Sequence, residues 1–261
     1  MIGVLTGVAL SFGVSSAMAQ DPPPLSPRCT APNSDIAAPA PLPGLASRLA
    51  NGGPLRILAI GSSATWGIGA SARARTYPTQ LKAILQSALH GVDAEIVNRG
   101  VSGEVAKASA ERLRTEVALQ KPDLVLWQVG TNDALSRVPP EEFEKTIRDT
   151  VDWLKSDGID VVLVGLQYTP RSVRDDNYHV IREALQRVAA AENVLYIRRD
   201  DAMTFIAQRY GNADTSPDDG LSLGDLGYPC LAEHVAHAVI ANLFVRGRDL
   251  PKDQPQAAPK N

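Results

Sequence analysis

The sequence predicts an α/β fold, a three-layer α/β/α sandwich around a parallel five-stranded sheet. Three observations predict it. Short, nearly uninterrupted apolar runs of strand length recur along the chain, as they do in strands buried on both faces. Between them lie longer segments whose apolar residues fall at helical spacing. The runs end in loops rich in Gly, Asn, Ser and Asp. Such alternation gives parallel strands with helices on both faces and right-handed crossovers. Ligands in such folds sit beyond the carboxyl ends of the strands.

The first strand is Leu55 to Ile60, at which point order is expected to begin. The first helix carries Tyr77, Leu81, Ile84, Leu85, Ala88 and Leu89 on one stripe, with Thr76 as N-cap, Pro78 in its first turn and Gly91 as its stop. The second strand is Ala94 to Val97, and a helix runs from Glu104 to Leu119. The third strand, Leu124 to Val129, precedes a helix from Pro140 to Ser156 that turns Phe143, Ile147, Val151 and Leu154 inward. The fourth strand, Val161 to Val164, is β-branched, and the next helix presents Ile181, Leu185 and Val188. The fifth strand is Val194 to Ile197, and a last helix covers Tyr228 to Phe244.

Residues 1–19 read as a signal peptide: Ile2 to Val14 is apolar and Ala17-Met18-Ala19 has the small-x-small form of a cleavage site, although no Lys or Arg precedes Arg28. Residues 20–54 form a Pro/Ala-rich leader, 55–245 the α/β domain, and 246–261 a polar, Pro-containing tail expected to be disordered. The location implied is periplasmic or secreted. Cys29 and Cys230 suit that compartment, either as a disulfide or as two free thiols; a bridge would close a loop worth about 4–5 kcal/mol in the chain-entropy model.

Lys plus Arg number 26 and Asp plus Glu 29, a net charge of −3, which argues against a nucleic-acid partner. No internal stretch reaches the ~20 apolar residues of a membrane span. The expected partner is a small-molecule substrate.

Four loops follow the strands or precede the last helix: Gly61-Ser62-Ser63-Ala64, Gly100-Val101-Ser102-Gly103, Gly130-Thr131-Asn132-Asp133, and Asp218-Asp219-Gly220-Leu221-Ser222. The first lacks G-K-[ST] and G-x-G-x-x-G, which weakens a nucleotide-binding reading. Alone, each loop reads as a turn. Together they resemble the blocks of the SGNH hydrolases, the GDSL-like esterases and lipases, over nearly everything from Leu55 to Phe244. The resemblance implies a flavodoxin-like sheet and a serine ester hydrolase without cofactor or metal. It places Ser63 as nucleophile, with Ser62 where the family has Asp, Gly103 as a backbone oxyanion donor, Asn132 as the side-chain donor, and Asp219 as the carboxylate that orients the base. The base itself departs from the family: Ser222 stands where the resemblance calls for His.

A serine hydroxyl needs a neighbour to take its proton, and imidazole does so well near neutral pH. Of the four histidines, His90 ends the first helix, His179 opens the fourth, and His234 and His237 share one side of the last helix. His234 stands 12 positions beyond Ser222, so as a recruited base it lies about 10 Å too deep. An i,i+3 His pair binds metal only with further ligands, which this sequence does not cluster. Trp66 and Tyr168 are expected near the site mouth, and Arg99 and Arg171 after their strands. The expected substrates are short acyl esters such as acetylated saccharides. The runner-up is a silenced protein on the same scaffold that binds acylated saccharides without turning them over.

Overall fold

A computed structural model describes residues 21–169, 174–211, 224 and 227–243. In chain order the elements are α1 (Asn33–Ile36), β1 (Ala37–Ala38), α2 (Pro43–Ala50), β2 (Leu55–Gly61), α3 (Ser63–Trp66), α4 (Tyr77–Ala88), β3 (Ala94–Gly100), α5 (Ala106–Gln120), β4 (Leu124–Gln128), α6 (Thr131–Leu135), α7 (Pro140–Ser156), β5 (Asp160–Val164), α8 (Asp176–Ala191), β6 (Leu195–Ile197), α9 (Arg199–Tyr210) and α10 (Gly227–Asn242).

The strand order is β1-β6-β5-β4-β2-β3. Strands β2 to β6 are parallel, and these are the five expected. The sheet nevertheless has six strands: Ala37 and Ala38 pair antiparallel with Ile197 and Tyr196. Two alanines in a Pro-rich stretch give no strand pattern, and the pairing comes from the open edge of β6, whose unpaired backbone groups take any strand brought to them.

The alternation of side chains sorts the core into two layers. Ile57, Ala59, Leu126 and Val162 face α4 and α10, where they meet Tyr77, Leu81, Leu85, Leu231 and Val235. Leu58, Ile60, Val125 and Trp127 face α5, α7 and α8, where they meet Leu113, Phe143, Ile147, Val151 and Leu185. Both faces are apolar because both are covered, which is why the strands read as continuous runs. Thr76 does flank α4, but its Oγ1 donates to Arg73 O at 2.9 Å instead of capping the helix.

Order begins well before the expected Leu55. Ile36, Ala40, Leu42 and Leu45 are buried, and Cys29 is bonded to Cys230 across a sequence separation of 201. The leader is therefore part of the domain. Its Ala31 and Ile36 pack on Ala202, and Cys29 joins Cys230, Met203 and Ile206 in a separate cluster. Helix α9 was not expected. Its first turn, Arg199-Asp200-Asp201, reads as a polar loop, yet Ala202, Met203, Ile206 and Ala207 are buried under the leader. The signal segment and the tail lie outside the described residues, as does Phe244. Among the described residues no helix is long and apolar enough to cross a membrane.

Candidate active site

The register of the sheet brings the three glycine-rich loops together. Gly61 of β2 stands opposite Gly100 of β3, and Ile60 opposite Trp127 of β4. The carboxyl ends of the three central and edge strands thus lie side by side, and Val101 N donates to Gly61 O at 2.8 Å to bind the first two loops. Gly100 is required here: a Cβ on it would lie 2.2 Å from Trp66 N, so only glycine lets α3 rest on the end of β3.

Ser63 is half-buried and is the first residue of α3, so its N–H has no acceptor within the helix. Ser62 before it is buried and fixed by β4. Gln128 Oε1 accepts from Ser62 N at 3.0 Å and from Ser62 Oγ at 2.9 Å. Asn98 does the same for the far end of α3, its Nδ2 donating to Thr65 O at 2.6 Å and its Oδ1 accepting from Gly100 N at 2.9 Å.

Gly103 sits at φ +80° in an exposed loop. Asn132, second residue of α6, donates from Nδ2 to Glu104 O at 2.8 Å. A carboxamide nitrogen carries two hydrogens, and this bond to the Gly103 loop uses one of them. Glu104 is itself gripped by Arg112, through Nε at 2.9 Å and Nη2 at 2.7 Å, and the same guanidinium donates to Arg99 O at 2.8 Å. The Glu104 carboxylate raises the Arg112 pKa further above its ordinary value. Asp133 is the clamp of the third loop. It accepts from Ala106 N at 2.9 Å and Gly130 N at 3.2 Å, while burial raises its carboxyl above the usual range. Thr131 Oγ1 accepts from Gln167 N at 2.9 Å, tying the same loop to the end of β5.

The structure thus brings the loops bearing Ser63, Gly103 and Asn132 to one edge. Asp219 and Ser222 lie outside the described residues, with Asp218 and Arg171. His234 is removed from the candidates. It is 1% exposed, and its Nε2 donates to Cys29 O at 2.7 Å, so the ring is a neutral tautomer spent on the leader. Burial lowers its pKa to about 4. His237 Nδ1 bonds Pro23 O at 3.0 Å. His90 follows α4 and precedes β3, at the amino ends of the strands away from these loops, and His179 is exposed on α8. Tyr168 is partly buried and packs against the disulfide cluster. Arg99 pairs with Glu116 at 2.8 Å. Trp66 is 59% exposed, three residues after Ser63.

Sequence reasoning missed a buried polar layer beneath these loops. Tyr77 OH lies 3.3 Å from Thr65 Oγ1, and Tyr228 OH donates to Ile68 O at 2.6 Å, so two tyrosines brace α3 and the loop after it. Both phenols are pushed up to about 12 by burial. Arg199, which opens α9, is 1% exposed near them; burial lowers its pKa, and its guanidinium nitrogens have no hydrogen-bond partner among the described residues. The one sequence signal for this layer was the position of Tyr77, Tyr228 and Arg199 at the starts of helices, on the carboxyl side of the sheet.

Two open features adjoin the loops. A slot of about 30 Å³ lies among Thr131, Ala134, Leu135 and Tyr178. A larger cleft, about 560 Å³, lies beside Trp66 and the edge strand β3.

The chain is similar to several known proteins. The family model of the non-GDSL lipase-like family matches residues 28–243. An arylesterase of Vibrio mimicus is 24% identical over 156 residues, 59% of this chain and 74% of the relative. A lipase/acylhydrolase from Enterococcus faecalis superposes with a TM-score of 0.62 at 24% identity, covering 77% of this chain and all of that one. A two-domain esterase active on acetylated mannans superposes with a TM-score of 0.68 at 18% identity, over 88% of this chain but only 61% of its own.

Proposed function

The chain belongs to the non-GDSL lipase-like family, and from that premise we propose that it is a serine ester hydrolase acting on short acyl esters. Ser63 Oγ attacks the acyl carbonyl carbon. The oxyanion is met by the N–H groups of Ser63 and Gly103 and by the second amide hydrogen of Asn132. The alcohol leaves with a proton, and water then hydrolyses the acyl-serine. Asp219 takes the serine proton through Ser222 or a water, in place of an imidazole.

The observation that carries this reading is the Asn132 Nδ2 to Glu104 O bond at 2.8 Å, which seats the carboxamide against the Gly103 loop with one donor left over. The carbohydrate nature of the alcohol portion rests on likeness to the esterase active on acetylated mannans.

We further propose export with cleavage after Ala19, supported by the Cys29–Cys230 disulfide, since such bonds persist in oxidising compartments. The mass of the exported protein would show it beginning at Gln20; an intact Met1 would refute export by this route.

A second reading has its own support. With His234 held by Cys29 O, no recruited imidazole replaces the missing base, which favours a silenced protein that binds acylated saccharides. Hydrolysis of p-nitrophenyl acetate separates the two. Activity that disappears in Ser63→Ala establishes the enzyme. No activity in the native protein, with a large gain in Ser222→His, establishes the silenced form.

A further inference from the structure

A cleft of about 560 Å³ lies between the loop after α3, the first turns of α4 and the strand β3. Its size is that of a small-molecule site. β3 is the last strand of the sheet, so no further strand closes this flank. Trp66, three residues after Ser63, stands at the cleft with its indole 59% exposed. Ile96 and Asn98 of β3 also line it, and the Asn98 carboxamide is locked at both ends by Thr65 O and Gly100 N.

The lining is charged in one sense. Arg73, Lys82 and Arg99 contribute to it, and no Asp or Glu does so among the described residues. Arg99 is neutralised by Glu116. Arg73 and Lys82 have no ion pair among the described residues. They come from different elements, and the Arg73 turn is fixed by Thr76 Oγ1 on its carbonyl. Scattered cations on a surface stay solvated and attract nothing in particular. Two unpaired ones lining one concave space, with an aromatic plane at its side, make a binding preference. Guanidinium and ammonium groups take carboxylate or phosphate oxygens, and an indole offers an apolar face with a negative quadrupole to the C–H face of a sugar ring.

We propose that this cleft holds the alcohol portion of the substrate, and that this portion is a saccharide bearing an anionic group, a carboxylate or a phosphate, placed between Arg73 and Lys82. As a statement about the substrate it rests on Ser63 being the nucleophile. As a statement about the cleft it is tested by binding alone.

The test is titration calorimetry at low salt with trigalacturonate, mannose 6-phosphate and neutral mannotriose. At least one anionic probe is expected to bind ten-fold or more tightly than mannotriose, and which of the two does so identifies the anion. The preference is expected to fall at least ten-fold in Arg73→Gln/Lys82→Gln and with rising salt, and binding to weaken in Trp66→Ala. Lys145→Gln, whose ammonium pairs with Asp149 away from the cleft, is expected to bind as the native protein does. Equal affinity for charged and neutral sugars, no binding of any probe, or a preference that survives the double substitution would overturn the proposal. Hydrolysis of p-nitrophenyl acetate is measured on the same samples. Hydrolysis without an anion preference refutes the cleft and leaves the hydrolase; an anion preference without hydrolysis does the reverse.

Discussion

Gln128 holds Ser62 twice: one side-chain oxygen, at the end of β4, accepts both the backbone N–H and the hydroxyl of the residue just before Ser63, the proposed nucleophile. The resemblance to SGNH hydrolases implies an acid at this position. Here a neutral hydroxyl and a neutral amide form a closed pair, with no charge to bury.

Replacing Gln128 with Leu leaves two buried donors without acceptors. Each orphaned donor costs about 1–3 kcal/mol. Gln128→Leu is expected to lower unfolding free energy by about 2–4 kcal/mol in urea titrations, and to depress esterase kcat because α3 starts from an unfixed residue. Unchanged stability would show that another group meets Ser62.

Asn132→Ala removes the proposed oxyanion donor and a single bond to Glu104 O. The expected result is a 10²–10³-fold loss in kcat with only about 1 kcal/mol of stability lost. The pairing of steady-state rates with a melting curve checks it; comparable KM but collapsed kcat is the signature.

Arg112 acts at a distance from the acyl carbon. It grips Glu104 through two hydrogen bonds, and Glu104 O in turn holds Asn132. Arg112→Met is expected to lower kcat through misplacement of the Gly103 loop, and Arg112→Lys to recover only part of it, because an ammonium cannot reproduce the two-pronged grip. Full recovery by lysine would reduce the role of Arg112 to charge alone.

How much of this could be read beforehand depended on the kind of contact. The five parallel strands were legible because burial on both faces writes itself as unbroken apolar runs, as in Leu124-Val125-Leu126-Trp127. The loops of Ser63, Gly103 and Asn132 were legible because their glycines and polar residues follow such runs. The Gln128–Ser62 pair was not, since it joins residues 66 positions apart. Nor was the clamp role of Asp133, which a motif names without saying what it binds. Strand β1 was hidden because two alanines carry no period. Helix α9 was hidden because its buried stripe follows Arg199-Asp200-Asp201, a charged run that ordinarily marks a solvated turn.

His234 supplies a pH dependence of stability. Its folded pKa is about 4, below the 6.5 of an exposed ring. Between those values the unfolded chain binds a proton that the folded one refuses, so stability rises with pH in that window and falls on acidification. The loss from pH 7.5 to pH 4 amounts to up to about 3 kcal/mol. Urea midpoints across this range should fall for the native protein, and less steeply for His234→Gln, whose amide still donates to Cys29 O and does not titrate.

Breaking the Cys29–Cys230 bond should cost about 2–5 kcal/mol, because it releases a loop spanning most of the chain. Cys29→Ala/Cys230→Ala, or the native protein in reductant, is expected to unfold at correspondingly lower urea. The loss should leave Asn132 geometry intact, so activity at low temperature is expected to outlast stability.

The same bond sets an order on biosynthesis. Cys29 leaves the ribosome 201 residues ahead of its partner, a wait of about 10–40 s at ordinary elongation rates. Until residues 195–210 have followed, Ile36 has no α9 to cover it and β1 has no β6 to pair with. The first residues made are therefore among the last to find their places. A nascent chain halted before α10 carries a free thiol at Cys29, a handle for quality-control factors, and only a chain synthesised through that helix can hide it.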